Sequence, residues 1–151
     1  MARASSIKLS INFAPLLEKI QEAGGDVEKA TLSVAKKSAN IVEQELKNAC
    51  NAKNVSESIS REIDTTVEKV NSNLYTCKVG WKLGAYNPKK LSAGYKAVFL
   101  NYGTPARETK SGANRGKIEA RGFIEDAKKD ANKKVKKIQE EALNEMLKGL
   151  K

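Results

Sequence analysis

Few residues of this chain could do chemistry, because it contains no histidine and only two cysteines among 151 residues. Histidine is the commonest general base and zinc ligand, and Cys50 and Cys77 cannot form a zinc site alone. A hydrolase would need paired carboxylates, a Ser–Lys pair or a metal held by acidic side chains. Asp126 and Asp130 are one helical turn apart, but neighbouring lysines make surface ion pairs the better interpretation. We therefore predict a protein without enzymatic activity, catalytic residues, cofactor or metal site.

Positive charge is the remaining chemical feature. The chain has 28 Lys+Arg and 18 Asp+Glu, a formal net charge of +10. Residues 69–107 hold seven basic and no acidic side chains. Such a block favours contact with phosphate. A lysine-rich sheet edge that only discourages aggregation explains it equally well. The six lysines of the block are Lys69, Lys78, Lys82, Lys89, Lys90 and Lys96.

Hydrophobic periodicity predicts the elements that position these residues. Residues 6–13 alternate as a half-buried strand does. Pro15 fits the first turn of a short helix that runs to Glu22. Gly24-Gly25 would end this helix, and Asp26 would cap a longer one. We interpret the apolar stripe of the longer helix as core, not as the seam of a coiled coil. This stripe consists of Leu32, Ala35, Ala39, Val42, Leu46 and Ala49, widened by Val27, Val34 and Ile41.

Residues 61–122 are predicted to form strands and loops. Arg61–Val70 has a period near two, and Leu74–Lys82 returns as the second strand of a hairpin after the polar turn 71–73. Residues 83–94 are a predicted loop. Tyr95–Tyr102 is nearly continuous in apolar character, which predicts a central strand. Residues 103–122 show no periodicity, and a loop of this length is usually functional or disordered.

A final amphipathic helix is predicted from Phe123 to Gly149. Its apolar positions are Ile124, Ala127, Ala131, Val135, Ile138, Ala142 and Met146. Six lysines between 128 and 137 cover the remainder, with acidic side chains in helical reach. We interpret them as a solvated, partly paired face, and a binding stripe is the alternative. Together the elements predict one α+β domain over 1–151, with a small, mainly antiparallel sheet packed against a long central helix and a long C-terminal helix.

The sequence shows no targeting or membrane signal. Its longest apolar stretches are four or five residues, so we expect a protein that works outside any membrane. Cys50 and Cys77 could form a lone disulfide, but buried free thiols are the favoured interpretation.

Two short motifs near the C-terminus resemble those of a known family. One is VFLNYGT (98–104) followed by PAR (105–107), and the other is ARGFI (120–124) at the start of the last helix. They are similar to the V-E-F/Y-G-T and A-R-P-F-L/I motifs of the tail-completion (neck) proteins of long-tailed bacteriophages, and the order of elements is similar over nearly the whole chain. Asn101 replaces the usual Glu, Gly122 the usual Pro, and NVSES (54–58) the usual turn before the hairpin. The loop between the motifs is long, as an insertion would make it.

The candidate structural residues in and beside these motifs are Tyr102, Gly103, Thr104, Pro105, Ala106, Arg107, Arg121, Gly122 and Phe123. Their physical interpretation is structural. Gly103 would turn the chain in a conformation unfavourable for other residues, and Thr104-Pro105 would keep it extended. Phe123 would anchor the returning loop to the sheet. We expect these residues to hold a surface in place and not to take part in catalysis.

The resemblance implies a structural virion protein. Such a protein would form a homo-oligomeric ring, commonly a hexamer, that completes the tail and joins it to the head connector or stopper. It would assemble in the bacterial host cytoplasm, with further copies of itself and the tail terminator or tail tube proteins as partners. Genome DNA would cross the ring, so the six lysines of the block would make transient, non-specific contact with phosphate. The loop 103–122 would contact a neighbouring subunit or another neck protein.

Two alternatives stay open. A stand-alone basic nucleic-acid-binding protein needs only the net charge and the lysine block. A tail terminator or minor tail protein would share the physical properties of the neck protein and differ in its neighbours.

Overall fold

The computed structural model describes residues 5–22, 27–71 and 74–149. Within them the chain forms the α+β fold that the sequence predicts. Its elements are β1 (Ser6–Asn12), α1 (Ala14–Glu22), α2 (Val27–Ala52), α3 (Glu57–Ser60), β2 (Asp64–Asn71), β3 (Leu74–Gly80), α4 (Ala93–Tyr102) and α5 (Phe123–Lys148). The predicted Gly24-Gly25 helix end, the Asp26 cap and the Ser72-Asn73 part of the turn lie outside the described residues.

The three strands form an antiparallel sheet in the order β1-β3-β2. Since side chains alternate along a strand, Tyr75, Cys77 and Val79 of the central β3 share one face, and all three are buried. Helix α2 packs against the sheet. Thr65 of β2 fixes this contact, because its Oγ1 donates to Oε2 of Glu43 on α2 at 2.7 Å.

The two longest helices, α2 and α5, run antiparallel. Lys53, just after α2, places its Nζ 3.3 Å from Oδ2 of Asp126 near the start of α5. Lys134, further along α5, places its Nζ 2.6 Å from Oε1 of Glu45. The predicted stripe of α2 is confirmed as core at Ala35, Ala39, Val42 and Leu46, which are fully or almost fully buried. The side chains of Val27 and Met146 lie outside the description.

Both cysteines are buried free thiols, as the favoured interpretation had it. The Cys77 Sγ donates to the carbonyl of Ala35 in α2 at 3.6 Å. Burial raises the pKa of Cys50 to about 11 and also raises the pKa of Cys77, so both remain protonated and unreactive near neutral pH.

The predicted strand Tyr95–Tyr102 is wrong, because this segment is helix α4. Ser92 caps the helix, with its Oγ accepting from the Tyr95 N–H at 3.4 Å. The helix buries Gly94, Ala97, Val98 and Asn101, a spacing that puts them on one face. A nearly continuous apolar run hides this period, and the central position of the sheet belongs to β3.

Smaller corrections concern the ends of the strands. The strand predicted from Arg61 begins at Asp64, because the short helix α3 and a turn occupy residues 57–62. The strand predicted to reach Lys82 ends at Gly80. Among the described residues, no helix is long and apolar enough to span a membrane.

Candidate functional site

The two motif segments lie side by side, although 15 residues separate Thr104 from Ala120 in the sequence. The Arg121 N–H donates to the Leu100 carbonyl at 3.0 Å, and the Gly122 N–H donates to the Asn101 carbonyl at 3.1 Å. We call residues 100–104 and 118–124 the junction. It connects the end of α4 directly to the start of α5.

Asn101 holds the centre of the junction and is only 2% exposed. Its Oδ1 accepts from the Ile124 N–H at 2.8 Å, and its Nδ2 donates to Oε2 of Glu125 at 2.9 Å. The side chain thereby caps α5 from outside the helix, since Gly122 at the N-cap position has no side chain to do so. A carboxylate at 101 would face Glu125 with like charge.

Gly103 is required by its surroundings. Its φ is +72°, and a Cβ there would lie 2.6 Å from the Ile118 carbonyl oxygen and 2.9 Å from the Ala120 nitrogen. The close approach allows the Thr104 N–H to donate to the Ile118 carbonyl at 2.8 Å. Any side chain at 103 would push the two segments apart.

Phe123 is fully buried at the start of α5. Its ring meets the Trp81 ring edge to face, with centroids 6.0 Å apart. Trp81 in turn donates its Nε1–H to the Ile59 carbonyl at 2.7 Å. Phe123 thus fixes the junction to the end of β3 and, through Trp81, to α3.

Arg121 ties the junction to α2. Its Nη1 donates to the carbonyls of Lys53 and Asn54 at 3.1 and 2.9 Å, just past the C-terminal end of that helix. Helix C-termini carry partial negative charge, so a guanidinium group there is favourable.

The predicted loop 103–122 is not irregular. Residues 104–118 fold back on themselves as a hairpin, with isolated bridges from Thr104 to Ile118 and from Glu108 to Asn114. We call this hairpin the arm. Almost all of it is exposed, including Pro105 and Ala106. Its basic side chains are Arg107, Lys110, Arg115 and Lys117, and Glu119 pairs with Lys117 at 2.7 Å and raises the pKa of that lysine.

The six lysines of the 69–107 block do not form one surface. Lys69 is opposite Tyr75 in the register and so lies on the α2 side of the sheet, whereas Lys78 lies on the other side. The hydrogen bond to Glu28 at 2.6 Å raises the pKa of Lys69. Lys78 is 3.9 Å from Glu68, and Lys82 is 3.0 Å from Asp64. Lys89, Lys90 and Lys96 are exposed and have no ion pair within the described part of the chain.

The sequence interpretation missed the roles of Asn101 and Trp81. The signal for Asn101 was its position seven residues after Gly94, two helical turns along one face. Within residues 5–22, 27–71 and 74–149, no group of three or more Cys, Asp and Glu side chains could hold a metal ion. Comparison with protein-family models, curated proteins and solved structures finds no match to this chain.

Proposed function

We propose that this protein is a structural component of a bacteriophage neck, a ring that completes the tail and joins it to the head connector. The observation that supports this most is the junction. Two short motif matches could each arise by chance, but here they contact each other around Gly103 and Phe123. The resemblance therefore coincides with one packed unit of the fold, the junction. The long segment between the two motifs forms the arm and leaves the contacts of the junction intact.

The arm is the element proposed to contact a neighbouring subunit or another neck protein. It is exposed and paired along its own length, and its base is held by the Thr104–Ile118 hydrogen bond. A rigid scaffold that presents an exposed hairpin is a common arrangement for binding. Copies of the chain would associate head to tail and close into a ring, as a heterologous interface does when its rotation closes.

Genome DNA would pass through this ring. Lysines that contact phosphate without reading bases suit such a passage, because the contact is independent of sequence. Of the 69–107 block, Lys89, Lys90 and Lys96 are the best candidates, since no acidic side chain of the described chain neutralises them. We expect the isolated protein to bind duplex DNA weakly, with an affinity that falls steeply with salt.

A stand-alone basic nucleic-acid-binding protein is the second candidate. It is favoured by the exposed lysines without ion pairs and by the net charge of +10. Tight, sequence-selective binding at physiological salt would support this candidate over the neck protein.

The decisive experiment disrupts the reading frame in the phage or prophage that carries it, with the intact gene supplied in trans as control. Lysates are then imaged by negative-stain electron microscopy. The neck proposal expects filled heads and separate tails of normal length that fail to join. Tails of uncontrolled length would indicate a tail terminator, and normal infectious particles would contradict a role in the virion.

A further inference from the structure

The lysines of α5 differ from those of the sheet in their surroundings. Residues 128–137 hold six lysines and one acidic residue, Asp130. All six lysines are exposed. Lys134 pairs with Glu45, and Lys137 is 3.8 Å from Glu141. The other four, Lys128, Lys129, Lys133 and Lys136, make no ion pair with any described residue.

These four lysines share one side of the helix. At about 100° per residue they fall within an arc of roughly 140°, and at about 1.5 Å per residue they extend over roughly 12 Å along the axis. We call them the α5 lysine face. The buried residues of the same stretch, Ala127, Ala131 and Val135, lie outside this arc and pack in the core. The α5 lysine face is therefore exposed to solvent, and Lys129 also lines a groove between α2 and α5 together with Asp126, Asp130 and Glu45.

The character of this face favours a phosphate ligand over a protein surface. Protein interfaces are depleted in lysine and depend on buried aromatic or arginine anchors. The α5 lysine face has neither, because Phe123, the helix's one aromatic residue, is fully buried. Unpaired lysines along a helix suit a polyanion, which gains affinity from each cation through counterion release.

We infer that the α5 lysine face is the main DNA-contact surface of this protein and binds the backbone phosphates of duplex DNA without regard to sequence. The inference rests on the proposed function only in taking DNA as the ligand. It assigns the larger share of the contact to α5 and a minor share to the lysines near the sheet.

The test compares two variants that both lower the net charge from +10 to +6 by removing four lysines. One is K128Q/K129Q/K133Q/K136Q. The matched control is K78Q/K89Q/K90Q/K96Q. Glutamine has nearly the helix propensity of lysine, so both should fold, which far-UV circular dichroism and thermal melting verify. Binding to a labelled mixed-sequence DNA duplex is measured by fluorescence anisotropy between 50 and 200 mM NaCl.

The α5 variant should bind about 30-fold more weakly at 100 mM salt, and the slope of log K against log salt should become shallower by about 3 to 4. The control should lose less than about threefold. Equal losses would show that only net charge matters and would overturn the inference, as would wild-type affinity in the α5 variant or no binding by the wild type at 50 mM salt.

The outcome is separable from that of the neck proposal. Gene disruption tests the place of the protein in the particle, whereas the anisotropy comparison tests which surface binds DNA. A phage that carries the α5 variant provides one further comparison. If the purified variant binds DNA normally but heads and tails fail to join, the α5 lysine face binds an acidic surface of another neck protein. The inference that it binds DNA is then wrong.

Discussion

The junction and the arm adjoin in the chain and have opposite physical character. In the junction, Asn101 and Phe123 are buried, and Gly103 has no room for a Cβ. In the arm, nearly every side chain is exposed, and a Cβ on Gly112 would meet nothing within 4 Å. The chain is fixed at the base of the hairpin and unconstrained by packing at its tip.

The two short motifs lie at the junction, where packing is tight, and not in the arm. Junction residues are dictated by packing, so few substitutions preserve the fold there. The arm is held only by its own pairing, so its length and surface can change without cost to the core. Packing therefore restricts the residue types at the junction, whereas the sequence of the arm is free to vary.

The largest effect expected is that of Phe123→Ala. Removing a fully buried aromatic ring that packs on Trp81 should lower the free energy of unfolding by about 3–5 kcal/mol, measured by urea denaturation. Arg115→Ala on the arm is the control and should change it by less than about 0.5 kcal/mol. A loss under about 1 kcal/mol at Phe123 would contradict its place in the core.

Two glycines with similar φ allow a sharper comparison. Gly103→Ala should cost about 3 kcal/mol, because the strained backbone conformation adds to a clash with the Ile118 carbonyl. Gly112→Ala has a φ of +80° but open space, so it should cost about 1 kcal/mol. Chemical denaturation of both variants separates the two contributions. Similar losses would mean that the close approach at Gly103 contributes nothing.

Asn101→Asp tests the cap of α5. The aspartate can still accept from the Ile124 N–H but replaces a donor facing Glu125 with a negative charge, so the variant should lose about 2 kcal/mol at pH 7. Like charge raises the pKa of such a carboxyl pair, so the deficit relative to wild type should shrink as the pH falls towards about 4 and one carboxyl binds a proton. Adding Glu125→Gln should restore part of the stability at pH 7. A deficit independent of pH would contradict the repulsion.

Periodicity predicted β1, α2, the β2–β3 hairpin and α5, and Pro15 predicted the first turn of α1. It misassigned α4 because Val98, Phe99 and Leu100 place apolar side chains on every side of that helix, so neither a period of two nor one of 3.6 is apparent. Ser92 and Gly103, which bound α4, were the available signals for a helix.

The site was predictable in part. Motif residues such as Gly103 and Phe123 could be picked out by type and position, because glycine and a large aromatic residue have few structural uses at such places. The hydrogen bond from the Arg121 N–H to the Leu100 carbonyl could not be predicted, since it depends on how the arm folds back. The pairing of Lys69 with Glu28 was equally hidden, because those residues are 41 positions apart.

The smallest effect on stability is expected from shortening the arm. Replacing residues 107–115 by Asn-Gly joins positions that face each other in the hairpin register, through a turn suited to two strands. The melting temperature should change by less than about 2 °C, because the junction keeps its contacts. If the protein has the proposed neck function, heads and tails should fail to join in a phage that carries the shortened protein. The control is the full-length double variant Arg107→Gln/Arg115→Gln, which removes the same net charge of +2. It distinguishes loss of the contact surface from loss of charge. Unfolding of the shortened protein would show that the arm is part of the core, and normal joining would remove its role in assembly.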